Sequence, residues 1–243
     1  MIGVTIASEK FEKLAMHACK RFRKNTGIHK TYTISTEYEK NYREKLGLWR
    51  LIQDGETVVF FDSDLWFIRN TNLSIFENRN EVIACHDPGC RSEFSNNHFP
   101  YRDAMTFGID PDRYFNGGFM VFNHRHISAL KFAEEIMLGM TRRKGRKHID
   151  GKPLADFGEQ SSINYAMVKF GIPVDIVSPQ YNFIPFSVMH VGAPPVDRPF
   201  AIHAAGYGED RRFPGVSAGE MKMRALLGYE YRYRSDRTDF YEA

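Results

Sequence analysis

Cysteine is scarce: Cys19, Cys85 and Cys90 are the only three in 243 residues. An odd number argues against a disulfide framework and for a reducing compartment, so a cytoplasmic protein is expected. Long hydrophobic runs are missing as well. No apolar stretch approaches the roughly 20 residues that cross a bilayer, and the start, Met1 to Lys10, shows no basic region followed by a long apolar segment. Neither a transmembrane segment nor a signal peptide is therefore expected. The formal net charge is only +3, too small to imply a nucleic-acid partner. The turn after the first apolar run, Ala7-Ser8-Glu9-Lys10, contains no GxGxxG, which argues against a dinucleotide site of the Rossmann kind. Cys85-His86-x-x-x-Cys90 has the look of half a zinc site, but no second Cys or His pair matches it, so zinc is set aside.

What is present is an ordinary globular composition, 42% hydrophobic, long enough to bury one large core. A single α/β domain over residues 1–243 is expected. Within it, residues 1–70 form a first half, 71–215 a second, and 216–243 a C-terminal helix and tail.

The most informative stretch runs from Thr57 to Arg69. Val58 to Phe61 is β-branched and aromatic with no polar position, as in a strand buried on both faces. It ends in Asp62-Ser63-Asp64. Charge beside a core is costly unless something offsets it, and ligands of open α/β sheets gather outside the carboxyl ends of strands. Two carboxylates one residue apart can share one hard cation there. A plain turn or helix cap is the bland alternative.

In chain order, Ile2 to Ala7 reads as a strand, and Ser8 as the cap of a helix whose buried positions include Phe11, Leu14, Ala15, His17-Ala18 and Phe22; Gly27 ends it. Lys30 to Ser35 is a second strand, Glu37 to Ile52 a second helix and Asp54-Gly55 a turn. This alternation predicts a mostly parallel central sheet. Glu81 to Ala84 is a further strand, and residues 86 to 113 read as a long polar loop. Paired glycines, Gly117-Gly118, precede an apolar strand, allowing positive φ, a bulge or close approach of a ligand to backbone. Ile127 to Met140 is an amphipathic helix. The basic cluster from Arg142 to Lys147, with His148, reads as its solvated end, an anionic partner being the alternative. Gly158-Glu159-Gln160 opens another helix, Val174 to Val177 and Phe200 to Ala204 are strands, and Met221 to Leu227 is a last helical piece before a charged aromatic tail.

Several of these pieces stand in a familiar order. Lys45-Leu46-x-x-Trp49, Asp62-x-Asp64, Phe115-Asn116-x-Gly118, Glu159-Gln160-x-x-x-Asn164 and Ile202-His203-x-x-Gly206 together resemble the GT-A-fold nucleotide-sugar glycosyltransferases, family 8 in particular, which includes glycogenin and bacterial galactosyl- and glucosyltransferases. The resemblance covers about residues 2 to 206. It implies the three-layer, Rossmann-like GT-A fold, and transfer of a hexose, with retention, from a nucleotide diphosphate sugar such as a UDP-sugar in the presence of a divalent cation. The acceptor implied is a glycan, or a lipid-linked or protein-linked one. The chain departs from the family at Glu159, where Asp is usual, and after His203, where the family's Lys-Pro-Trp is replaced by Tyr207-Gly208-Glu209-Asp210-Arg211-Arg212. Arg211, or else Arg212, then becomes the candidate for the phosphate contact.

The chemistry of the residues fits. Asp62 and Asp64 suit Mn²⁺ or Mg²⁺, and an imidazole such as His203 favours Mn²⁺; a core histidine is the alternative for His203. Lys45 is a candidate for the pyrophosphate, against a solvated surface lysine. Ala7 and Ser8 are candidates for the nucleoside, with Ser63 and Gly206 also on the donor side. Asn116 and Gln160 offer amides to sugar hydroxyls, and Glu159 can hold a hydroxyl or stabilise an oxocarbenium-like centre. Trp49, Trp66 and Phe115 read as core. Two rival readings are a non-catalytic sugar-nucleotide or glycan-binding protein on the same scaffold, and a haloacid-dehalogenase-type phosphatase. The latter wants Thr or Val where Trp66 stands.

Overall fold

The structure, a computed structural model, describes the chain apart from residues 37–40, 53–55, 91–98, 140, 144–145, 150–151, 154–157, 191, 206–216 and 235–243. Its strands are β1 (Ile2–Ala7), β2 (Thr31–Ser35), β3 (Thr57–Phe61), β4 (Leu65–Phe67), β5 (Val82–His86), β6 (Phe115–Asn123), β7 (Thr141–Arg143), β8 (Arg146–Ile149), β9 (Lys152–Pro153), β10 (Val174–Val177) and β11 (Ala201–His203). Its helices are α1 (Glu12–Thr26), α2 (Asn41–Leu46), α3 (Phe99–Phe107), α4 (Ile127–Leu138), α5 (Gly158–Lys169), α6 (Pro185–His190) and α7 (Ala218–Arg234).

Six strands form the central sheet in the order β10-β5-β6-β3-β1-β2. All are parallel except β6, which runs against both β3 and β5. The inner strands of the sheet are buried on both faces because their apolar residues alternate between two cores. Val58 and Phe60 of β3 face one core, with residues of α4 and α5; Val59 and Phe61 face the other, with α1 and β4. In the second, the Phe22 ring stacks on Phe61 at 4.6 Å and meets Phe67 edge-on at 5.3 Å. Burying such a ring contributes on the order of 2–3 kcal/mol. Trp66 and Phe115 are fully buried, as core residues should be.

Elsewhere tertiary contacts override the local pattern. The helix expected over Glu37–Ile52 is, in its described part, α2 followed by a tighter 3-10 turn, Gly47–Leu51. That turn aims Trp49 Nε1 and the Arg50 guanidinium at the Glu134 carboxylate of α4, each at 2.8 Å. The expected Asp54-Gly55 turn lies outside the described residues. The stretch read as a loop from 86 to 113 contains α3, which buries Asp103, Ala104 and Phe107; Ser161 of α5 donates to Asp103 at 2.6 Å. The basic cluster is a strand pair, β7 with β8, and not a helix end. His17 is exposed while Cys19 takes the buried place beside Ala18. The first part of the charged aromatic tail is helical, to Arg234, and its remainder lies outside the described residues.

Gly3 shows how closely α1 packs on the sheet. A Cβ there would lie 2.4 Å from Cε1 of Phe22. Gly3→Ala is therefore expected to cost about 1–3 kcal/mol through overpacking, measured by denaturant unfolding; an unchanged midpoint would contradict this packing.

Candidate functional site

The carboxyl ends of β1, β3 and β5 open on one edge of the sheet, and the antiparallel β6 begins there. At that edge Asp62, Ser63 and Asp64 make the tight turn between β3 and β4. The turn is closed by Leu65 N–H donating to the Asp62 carbonyl at 2.9 Å. It is clasped from both sides: Asp62 N–H donates to the Gly118 carbonyl, and Ala204 N–H donates to the Asp64 carbonyl, each at 2.9 Å. β11 pairs with β4 and brings His203 opposite Leu65. Asp62, Asp64 and His203 thus present one ligand atom each within 4.8 Å of one another, a set that could hold a metal ion.

The rest of the site prepares that histidine. Its Nδ1–H donates to Asn182 Oδ1 at 2.9 Å; Asn182 Nδ2 donates to Asn116 Oδ1 at 3.0 Å, and Asn116 Nδ2 donates to Asp87 Oδ2 at 3.1 Å. The chain of amides fixes the ring so that Nε2 faces the acids, 3.2 Å from Asp64 and 3.5 Å from Asp62. Such orienting partners are what metal-binding histidines require. Two carboxylates and an imidazole in this arrangement fit a divalent ion that accepts oxygen and nitrogen ligands. The ring needs room, and Gly118 gives it: a Cβ would stand 2.4 Å from His203 Cε1. The glycine pair thus serves close approach, without positive φ, and the facing strand shifts register between Ala84 and Cys85.

Charge around the acids is balanced from two helices. Lys45 is buried, not a surface lysine; its Nζ lies 3.1 Å from Asp62 Oδ1, donates to the Gly117 carbonyl at 3.2 Å and stands 4.0 Å from Glu159. Lys222 of α7 contacts Asp64 Oδ2 directly. Burial pushes the Asp64 carboxyl up, but Lys222 and His203 outweigh it and hold the group well below the usual carboxylate range. Glu159 goes the other way: burial, only partly opposed by Lys45, raises it to about 7. Its Oε2 is buried without a hydrogen-bond partner among the described residues.

Gln160 accepts from Gly117 N–H and donates to Asp87, both at 2.9 Å. It and Asn116 therefore tie the start of β6 to Asp87. Ala7 ends β1 on the same edge and Ser8 follows it. Ser8 does not cap α1 as expected, because a 3-10 turn, Glu9–Phe11, intervenes and Phe11 takes the N-cap position; the buried Ser8 hydroxyl has no partner among the described residues. Gly206, Arg211 and Arg212 lie outside the described residues. Sequence reasoning did not single out Asp87, Asn182 or Lys222. Asp87 carried a usable signal, an acid directly following a buried strand, the same one that marked Asp62. Beside Asn182 lies a cavity of about 620 Å³, lined by His86, Ser178 and Ser187 and by apolar residues such as Ile176 and Val188.

No protein-family model and no curated protein matches the chain in sequence. Solved structures do match. The galactosyltransferase LgtC, solved in complex with donor and acceptor sugar analogs, aligns over 94% of this chain and 96% of its own, with a TM-score of 0.56 at 14% identity. The bifunctional glycosyltransferase WbbM aligns over 96% of this chain with a TM-score of 0.59 at 13% identity. The chain spans about half of WbbM, 51%. GlyE of Streptococcus pneumoniae gives a TM-score of 0.54 at 13% identity over 94% of this chain and 59% of its own. The chain has the GT-A glycosyltransferase fold. On the GT-A sheet the acid pair stands at the end of β3, and this fold leaves the phosphatase reading without support; Trp66, where that reading wants Thr or Val, is a fully buried strand residue.

Glu159 yields a pH prediction. A carboxyl whose folded-state pKa is raised from 4.5 to about 7 binds its proton more tightly than the unfolded chain does. Stability therefore falls as pH rises from about 4.5 to about 7 and is level above. Glu159→Gln is expected to match the wild type near pH 4 and to exceed it at pH 8, by on the order of 3 kcal/mol at most. Denaturant unfolding at both pH values measures the difference; a variant less stable at pH 8 would contradict the burial of this carboxyl.

Proposed function

We propose that this protein is a metal-dependent glycosyltransferase that moves a hexose, with retention, from a nucleotide diphosphate sugar, a UDP-sugar, to a hydroxyl of a glycan or glycoconjugate. The observation that carries the reading is the Asp62–Asp64–His203 cluster at the edge of a GT-A sheet. Residues 1–70 make the donor half, 71–215 the acceptor side, and 216–243 the C-terminal helix and tail.

Mn²⁺ or Mg²⁺ held by Asp62, Asp64 and His203 supplies electrostatic stabilisation of the charge that builds on the leaving diphosphate. The protein's own groups do the rest. Ala7 and Ser8 bind the nucleoside, Ser8 through its buried hydroxyl. Lys45 adds a fixed positive charge beside Asp62, already desolvated and so effective without reorganisation. Glu159 Oε2 takes a hydrogen bond from a sugar hydroxyl or stabilises positive charge at the transferring carbon. Asn116 and Gln160 hold the first residues of β6 in place and line the sugar side. Ser63, Gly206 and Arg211 complete the donor contacts. The cavity that Asn182 helps to line is the proposed acceptor pocket. Three unpaired cysteines fit the cytoplasmic setting.

Incubation with a panel of nucleotide sugars, with and without Mn²⁺, tests this. The expected result is slow release of nucleoside diphosphate that requires the metal and that Asp64→Asn lowers on the order of 10²–10³-fold. Metal-linked donor binding without turnover would support the binding-protein reading instead, and release of inorganic phosphate from phosphomonoesters would overturn both.

A further inference from the structure

Asp64 is engaged by a cation from a helix that lies 158 residues further along the chain. Lys222 sits in the second turn of α7, its side chain 18% exposed, with its ammonium on Asp64 Oδ2 while His203 takes Oδ1. α7 is packed against the rest of the fold near both ends. A Cβ on Gly219 would stand 2.8 Å from the Lys10 carbonyl oxygen, Glu230 pairs with Arg21, and the Tyr233 ring meets Phe183 edge-on at 5.8 Å. The helix therefore delivers Lys222 to a fixed place.

That place is informative. The ammonium lies between the acid pair and the turn that follows Ser8, 5.9 Å from the centre of the Phe11 ring. A diphosphate joining a nucleoside proposed at Ala7–Ser8 to a cation on Asp62 and Asp64 would run beside this ammonium. A divalent cation on the Oδ1 side of Asp64, where His203 stands, would face the ammonium across a single carboxylate, and like charges that close repel. Lys45, by comparison, keeps Gly117 and Glu159 when Asp62 is taken. Lysine is suited to exchange because its charge rides on a flexible stem.

We propose that Lys222 is a diphosphate-binding residue of the donor site: it holds Asp64 in the metal-free protein and passes to the donor's diphosphate when a divalent cation takes that carboxylate. This rests on the donor-site reading of Asp62, Asp64 and His203.

Calorimetric titration of the full chain tests it, first with Mn²⁺ alone, then at saturating Mn²⁺ with the tightest-binding of UDP, GDP and ADP. Lys222→Met is expected to bind Mn²⁺ alone several-fold more tightly and the nucleoside diphosphate about 10–100-fold more weakly, the range of a lost charge-assisted hydrogen bond. Lys222→Arg is expected to keep most of the nucleotide affinity. A lysine that merely holds α7 in place would weaken both ligands together, so the opposite movement of the two affinities is the signature. Unchanged nucleotide affinity in Lys222→Met, or Mn²⁺ affinity that does not rise, overturns the inference while leaving the donor site standing. A wild type that binds neither Mn²⁺ nor any of the three nucleotides overturns the donor-site reading itself, and this inference with it.

Discussion

Mutual repulsion among carboxylates is the constraint around which the structure is arranged. Asp62, Asp64 and Glu159 converge on one edge of a sheet whose interior is apolar on both faces. Such a grouping is tolerable only if each charge is answered. The protein answers Asp62 with Lys45, Asp64 with Lys222 and His203, and Glu159 by burial that lets it hold its proton up to about pH 7. One of these answers is removable, the Lys222 ammonium on its flexible stem. The site is thereby balanced at rest and still open to a divalent ion.

The backbone supplies the precision. The three-residue turn between β3 and β4 is clasped by β6 on one side and by Ala204, just after β11, on the other, so its backbone cannot shift without breaking a main-chain bond. β6, the one antiparallel strand of the sheet, is needed for this, because its first residues, Asn116 to Gly118, lie beside the carboxyl end of β3. Asp87 then locks that strand through Asn116 and Gln160 at once. Rigid groups set before the ligand arrives act without the cost of reorganising.

Much of this was legible in the residues. The acid pair announced itself because four apolar residues ended in two charges, and β3 proved buried at every position. The mostly parallel sheet followed from alternating strands and helices. The losses have physical causes. α3 was hidden because one of its buried positions is a carboxylate, Asp103, held by Ser161, which breaks the apolar period. Asn182 and Lys222 carry no local signal, since each acquires its role from a partner distant in sequence. The second helix tightened after Gly47 because Glu134 captures Trp49 and Arg50, an interaction that propensity does not encode.

Crystals of the protein soaked in Mn²⁺ together with a nucleoside diphosphate and measured at the manganese absorption edge test the central claim most directly. The account predicts an anomalous peak enclosed by Asp62, Asp64 and His203 Nε2, with nucleotide phosphate oxygens completing its shell. Manganese bound elsewhere, or no peak while both aspartates remain on Lys45 and Lys222, would contradict it.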